Sequence, residues 1–240
     1  DEAAESFTLT VAVTAGTTSN ASAAGTGTIG DNDGAPSVTI DDVTRNEAAG
    51  TITFTVTLDA PSALAVSVDY ATVAGTATGA DYAAGVDGLS GTLSFAAGVT
   101  SQTITLAIVD DAVFEASESF VINLSNAVNA ALGDGQGVGT IRDDGTGGGG
   151  TDDDTPSLSV SGAAVIEGTD NFAVFTVSLS NASTSDVSFN LALANSTALG
   201  GGVDYGTGGA GNLQVFVGGV WVDAASATIA AGQTSVQVRT

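Results

Sequence analysis

Thr51-Ile52-Thr53-Phe54-Thr55-Val56-Thr57-Leu58 alternates threonine with Ile, Phe, Val and Leu over eight residues. A period of two puts the apolar side chains on one face and the threonines on the other, the pattern of a half-buried antiparallel strand. Residues 103–108 and 119–124 alternate in the same way, and Gly-, Asn- and Asp-rich turns separate such stretches. No stretch joins a helical apolar period to helix caps. Between Ser37 and Arg142 the pattern predicts seven strands, near 37–41, 51–58, 65–72, 91–95, 101–108, 118–125 and 137–142. Seven short strands over about a hundred residues are what a two-sheet, immunoglobulin-like sandwich requires. The expected fold class is therefore all-β.

The whole chain has 240 residues, room for about two such domains. It carries 27 acidic residues against three arginines (Arg45, Arg142 and Arg239), without lysine or histidine, for a net charge of −24. Such a charge repels nucleic acid and anionic lipid, and it strains a compact fold unless cations bind. Acidity with few aromatics can mark disorder, but 43% hydrophobic residues and a mean hydropathy of +0.32 point to a folded chain. Without Cys or His there is no thiol nucleophile, no Ser-His or Cys-His pair and no zinc site of the usual ligands. Without Lys there is neither a Schiff base nor a P-loop. The remaining donors are all oxygen, a set suited to a hard cation such as Ca²⁺. The lack of Cys fits an extracellular bacterial protein. With no starting Met, no signal peptide and no apolar run near 18 residues, the chain reads as a mature fragment or internal slice without direct membrane insertion.

Internal comparison finds a repeat. Thr155-Pro156-Ser157-Leu158 restarts the pattern of Ala35-Pro36-Ser37-Val38, Glu167-Gly168 parallels Glu47-Ala48, and Asp204-Tyr205 parallels Asp81-Tyr82. Ala230-Ala231-Gly232 likewise parallels Ala96-Ala97-Gly98. At the other end, Glu2-Ala3-Ala4-Glu5-Ser6-Phe7 matches Glu115-Ala116-Ser117-Glu118-Ser119-Phe120, and Gly27-Thr28-Ile29 matches Gly139-Thr140-Ile141. The expected order is the last two strands of one repeat (1–33), a complete repeat (37–144), a Gly/Asp-rich linker (145–154) and the first strands of another repeat (155–240). Within the last segment, an insertion at 213–222 reads as a hairpin turning at Gly218-Gly219.

The six glutamates, Glu2, Glu5, Glu47, Glu115, Glu118 and Glu167, fall into three repeat-equivalent pairs. Acids scattered for solubility would not do so. Near them stand Asp81, Asp110-Asp111 and Asp143-Asp144, with counterparts at Asp204, Asp31 and Asp33. In a sandwich, Glu47, the Asp81 loop, the 110–118 turn and Asp143-Asp144 fall near one pole. Eight carboxylates there repel one another until roughly three or four divalent ions neutralise them.

Val66-Ser67-Val68-Asp69-Tyr70-Ala71-Thr72, Gly75-Thr76-Ala77-Thr78-Gly79-Ala80-Asp81-Tyr82, Gly91-Thr92-Leu93-Ser94-Phe95 and Ile108-Val109-Asp110-Asp111-Ala112-Val113-Phe114-Glu115, in this order, resemble a Calx-β domain. The resemblance continues through Glu118-Ser119-Phe120 and Gly139-Thr140-Ile141-Arg142-Asp143-Asp144, weakens beyond 155 and touches 1–33 as the tail of such a domain. It implies several Ca²⁺ ions at one pole, held by Glu47, Asp81, Asp110, Asp111, Glu115, Glu118, Asp143 and Asp144, with the Val113 carbonyl as a backbone ligand. For the divided repeat it implies Glu167, Asp204, Glu2, Glu5, Asp31 and Asp33. Gly145 stands where related domains often carry a third acidic residue, which puts one ion in question.

Tandem repeats of this lysine-free type resemble the extender regions of large bacterial surface adhesins. The expected role is a calcium-rigidified extracellular repeat whose partners are neighbouring copies or adjoining repeats. An alternative is a ligand-binding adhesin module that uses the 213–222 insertion, with Phe216 and Trp221 against a carbohydrate. A glycosidase needs two facing carboxylates in a cleft, whereas these acids are committed to metal, so no enzyme is expected. A seven-stranded sandwich places its two chain ends at opposite poles, so 1–33 is expected to complete a 155–240 half in a neighbouring copy or, if the chain is a slice of a tandem array, in an adjoining repeat of the same polypeptide.

Overall fold

The computed structural model describes residues 2–82, 88–148, 153–167, 169–198 and 212–240. They form two units, one of Asp1–Val43, Thr51–Ile108 and Ser119–Thr140, the other of Thr44–Gly50, Val109–Glu118 and Ile141–Thr240. No helix among the described residues is long and apolar enough to cross a membrane.

The strands β1 (Glu5–Ala12) and β2 (Ser22–Ile29) pair as a two-stranded antiparallel sheet, with Phe7 opposite Gly27. The next strands are β3 (Ser37–Ile40), β4 (Val43–Asn46), β5 (Thr51–Leu58), β6 (Val66–Ala74) and β7 (Ser90–Phe95). After them come β8 (Ser101–Ala107), β9 (Val113–Phe114), β10 (Glu118–Val128), β11 (Ala131–Asp134) and β12 (Gln136–Arg142). One sheet runs β4-β12-β10-β6-β7 and the other β11-β3-β5-β8, the expected two-sheet sandwich.

The alternation of β5 is realised as read: Ile52, Phe54, Val56 and Leu58 are buried, and its threonines look outward. Phe54 meets Phe120 of β10 edge-on at 5.9 Å, and Tyr82 meets the same ring at 5.8 Å. Fully burying side chains of this size stabilises by about 1.5–3 kcal/mol each. Phe120 also lies over Gly139 of β12, where a Cβ would stand 2.5 Å from the ring.

Three short strands, β4, β9 and β11, add to the seven expected ones. Between β3 and β4 the chain crosses from one sheet to the other at Asp41-Asp42. Asp41 Oδ1 accepts the Thr55 N–H at 2.6 Å, and Asp42 Oδ1 accepts the Val138 N–H at 2.7 Å. These carboxylates serve backbone donors at the crossover.

The remaining strands are β13 (Leu158–Val160), β14 (Val174–Leu179), β15 (Ala182–Ser183), β16 (Val187–Asn190), β17 (Gln214–Val217), β18 (Val220–Asp223), β19 (Ser226–Ile229) and β20 (Ser235–Arg239). A five-stranded sheet runs β13-β14-β20-β17-β18, and β16 pairs with β19 alone. Their small core holds Val177, Leu179, Val215, Ile229 and Val238. The β17–β18 hairpin turns at Gly218-Gly219, whose φ angles of 59° and 89° suit the two positive-φ positions of a tight hairpin turn. Trp221 rests on Phe216 at 5.1 Å, and the Arg239 guanidinium lies 4.4 Å over the indole. The aromatic pair of the insertion is thus packed against the chain's own cation.

Within this second unit β9 pairs in parallel with β15, Val113 with Ala182 and Phe114 with Ser183. The Thr184 N–H extends the contact to the Phe114 carbonyl at 2.9 Å. The turn at 113–114 is thereby stitched to residues 182–184.

Candidate metal centre

Asn46 caps a single 3-10 turn, Glu47–Ala49, its side chain accepting the Ala48 N–H at 3.0 Å. Gly50 closes the turn with φ 66°, a left-handed position that favours glycine. The turn carries the Glu47 carboxylate inward, leaving the residue 4% exposed. There Glu47 Oε1 accepts the Asp111 N–H at 3.3 Å, while Asp111 Oδ1 accepts the Val113 N–H at 2.7 Å and shapes the turn. Asp143, directly after β12 and 3% exposed, accepts the Glu115 N–H at 2.6 Å. Its carboxyl also shares a hydrogen bond with that of Asp154.

Carboxylate oxygens of Glu47, Asp110 and Asp154 all lie within 4.8 Å of one another. Glu115 and Glu118 likewise bring carboxylate oxygens within 4.8 Å of each other. Asp81 is buried and accepts the Thr78 N–H. Calcium binds oxygens at 2.3–2.6 Å, so ligands on opposite sides of one ion are roughly 5 Å apart. The spacing and the all-oxygen donor set both fit that ion.

The electrostatics agree. Burial, reinforced by the charge of Asp143 and by Asp111 and Asp110, pushes the Glu47 carboxyl up to about 8, against a lowering by the Asp111 N–H. Burial likewise raises Asp143 to about 6; the Glu115 N–H opposes the rise, and Asp154 adds to it. Buried carboxylates facing one another favour protons until a cation takes their place. A bound divalent ion would supply that neutralisation and hold the turns together.

The other residues singled out in the sequence are placed differently. Asp144 is turned to Thr146, whose hydroxyl and N–H hold it below the usual carboxylate range, and its backbone bridges to Asp153. Val113 lies in β9, with its N–H on Asp111. Near the N-terminus, Asp31 accepts the N–H groups of Glu2 at 2.9 Å and Asp33 at 3.0 Å, and these hold its carboxyl low. Glu5 sits on β1 opposite Ile29, and Glu167 is exposed. Asp204 lies outside the described residues. The sequence reading missed Asp154, which it had placed in the linker. Its repeat counterpart is Gly34, so comparison of repeats carried no signal for it.

A β-sandwich with carboxylates collected in the turns at β-strand ends, and oxygen ligands alone, defines a cation-binding module. The Calx-beta domain matches residues 31–145 and 151–222, and the chain belongs to this family. Among solved structures, the apo-form Calx CBD1 domain is 28% identical, with 45% of this chain and 96% of that one covered and a TM-score of 0.40. CBD12 from CALX1.2 is 18% identical over 84% of this chain and 74% of its own, with a TM-score of 0.42. A two-domain protein of unknown function from Bacteroides fragilis is 11% identical over 85% and 87%, with a TM-score of 0.31. No curated protein matches.

Proposed function

We propose that this chain is a calcium-rigidified structural repeat of an extracellular bacterial surface adhesin or filament, joined end to end with adjoining repeats or neighbouring copies by strand complementation. The observation that carries the reading is Asp154. It ends the linker that leads into the second repeat, yet its carboxylate stands with those of Glu47 and Asp110. A cation held by these three ties the linker to the sandwich turns. The Asp144–Asp153 bridge and the β9–β15 pairing support the same junction with backbone hydrogen bonds. A junction fixed in this way makes successive repeats behave as a rod, and a net charge of −24 is relieved as ions load. Extracellular modules can rely on sites with dissociation constants of roughly 10⁻⁴ to 10⁻³ M, because calcium outside cells is abundant.

Limited proteolysis of the linker, with EGTA and with millimolar calcium, tests the reading on wild type and Asp154→Asn. Calcium is expected to slow wild-type cleavage at least several-fold and to protect the variant much less. Equal protection of both would remove Asp154 from the site, and no protection of either would refute the rigid junction.

A further inference from the structure

We infer that Asn181 is the positioning residue of the calcium site: its side-chain amide holds the end of the linker where the Asp154 carboxylate meets Glu47 and Asp110. The inference rests on the reading of Asp154 as a calcium ligand, proposed above, and names the group that sets it.

Asn181 lies half-buried in the turn between β14 and β15. Its side-chain N–H donates to the Asp154 carbonyl. The amide is oriented from its other end, because the Ser180 hydroxyl donates to Asn181 Oδ1 at 2.7 Å. That hydroxyl in turn accepts the Ser157 N–H at 2.9 Å, and the Ser180 N–H returns to the Ser157 carbonyl at 3.0 Å. Residues 154–157 are thus laid along the turn, and of these bonds the one from Asn181 reaches Asp154.

The same turn grips the other side of the site. β15 pairs with β9 at Val113 and Phe114, and the Thr184 N–H donates to the Phe114 carbonyl at 2.9 Å. Just before β9, Asp111 accepts the Val113 N–H on Oδ1 and donates its own N–H to Glu47 Oε1. Residues 180–184 therefore hold both the Asp154 segment and the turn that carries Asp110 and Asp111, and they add no carboxylate of their own. Their footing is buried: Ser183 is 3% exposed, its carbonyl accepts the Gly232 N–H at 2.8 Å and its hydroxyl accepts the Ser185 N–H at 3.0 Å.

The first repeat shows what is particular to Asn181. Its equivalent turn is built by the same bonds. Asp59 stands for Ser180, accepting the Ser37 N–H at 2.7 Å and donating to the Ser37 carbonyl at 3.1 Å. Ser62 stands for Ser183, its carbonyl accepting the Gly98 N–H at 2.8 Å and its hydroxyl the Leu64 N–H at 3.0 Å. At the two tether positions, however, Ala60 replaces Asn181 and Gly34 replaces Asp154. The acid and the amide that holds it are absent together, and the turn forms without them. The linkers differ in step: Asp33 is followed directly by Gly34-Ala35-Pro36, whereas residues 146–154 intervene between Gly145 and Thr155-Pro156. Ordering a longer, glycine-rich stretch costs more conformational entropy, and the tether acts where that cost is larger.

Calcium titration calorimetry and hydrogen–deuterium exchange on the full chain test the inference with Asn181→Ala, Asp154→Ala and the double variant. Ala60 shows that this turn accepts alanine. In EGTA, Asn181→Ala is expected to speed exchange at residues 153–157 several-fold while β5 exchanges as in wild type. In the titration it should weaken calcium affinity about tenfold, the size usual for a residue that orients a metal ligand. In the Asp154→Ala background the same substitution should change affinity by no more than about twofold, because a tether acts only through the residue it holds. Equal losses in both backgrounds, or full affinity in Asn181→Ala beside a weakened Asp154→Ala, would overturn the inference, as would exchange that quickens equally at β5. Full affinity in Asp154→Ala would instead refute Asp154 as a ligand and the inference with it, so the two failures are told apart.

Discussion

Glu47→Gln is expected to move stability in opposite directions with and without calcium. The substitution keeps the shape of the side chain and an oxygen for the Asp111 N–H, and removes only the charge. In metal-free protein near pH 8 that charge faces carboxylates within 4.8 Å. Two unit charges at this separation repel by about 0.9 kcal/mol at the dielectric constant of water and about 3.5 kcal/mol at an effective value of 20. Relief on the order of 1–3 kcal/mol should raise the EGTA melting midpoint by several degrees, at roughly 4–8 °C per kcal/mol for a domain of about 100 residues. In saturating calcium the same change removes a ligand. If affinity falls until ambient calcium no longer binds, the variant loses the linkage stabilisation, about 2.7 kcal/mol for wild type at a hundredfold excess over Kd. Set against that relief, the net loss is at most about 1.7 kcal/mol, so its midpoint should sit up to roughly 7–14 °C below wild type. Differential scanning calorimetry on both proteins in both buffers decides the matter. A variant less stable in both would show Glu47 to be a structural polar group, and a variant unchanged in both would refute the charge cluster.

The folded-state Glu47 and Asp143 carboxyls lie above their ordinary values, at about 8 and about 6. Their contribution in metal-free protein is thus complete below about pH 4 and lost as pH rises toward 8, which denaturant melts in EGTA should show as falling stability; calcium should cancel the fall. Asp110→Asn should weaken calcium binding at least several-fold by titration calorimetry, whereas Asp59→Asn, whose carboxylate accepts the Ser37 N–H at 2.7 Å, should leave affinity unchanged. Gly139→Ala should cost about 1–3 kcal/mol in chemical denaturation, because its Cβ meets the buried Phe120 ring, while Gly162→Ala, with open space around it, should cost far less.

Much of this architecture is written at short range. The alternation at 51–58 specifies β5, and the repeat-equivalent pairing of the glutamates picks out Glu47, Glu115 and Glu118, whose carboxylates stand near other acids in the turns. What was not legible depends on longer-range or weaker signals. Val43-Thr44-Arg45-Asn46 carries one apolar residue, and β4 exists because Asp41 and Asp42 bind backbone donors that only the fold brings near. β9 is two residues long and owes its pairing to β15, far along the chain. Asp154 sits in an acidic run typical of a solvated linker, and its role depends on the meeting of that run with the Glu47 turn. Asp144 shows the converse: a neighbour of a buried acid by sequence, it turns outward to Thr146.

The most direct test is a calorimetric titration of the EGTA-stripped chain with calcium, run beside magnesium and sodium at matched ionic strength. The account predicts saturable calcium binding to more than one site, with proton release near pH 7 as the raised Glu47 carboxyl gives up its proton, and much weaker heats from magnesium. Heats that match those of magnesium, or a calcium isotherm that sodium at equal ionic strength reproduces, would reduce the clustered carboxylates to diffuse surface charge and contradict the account.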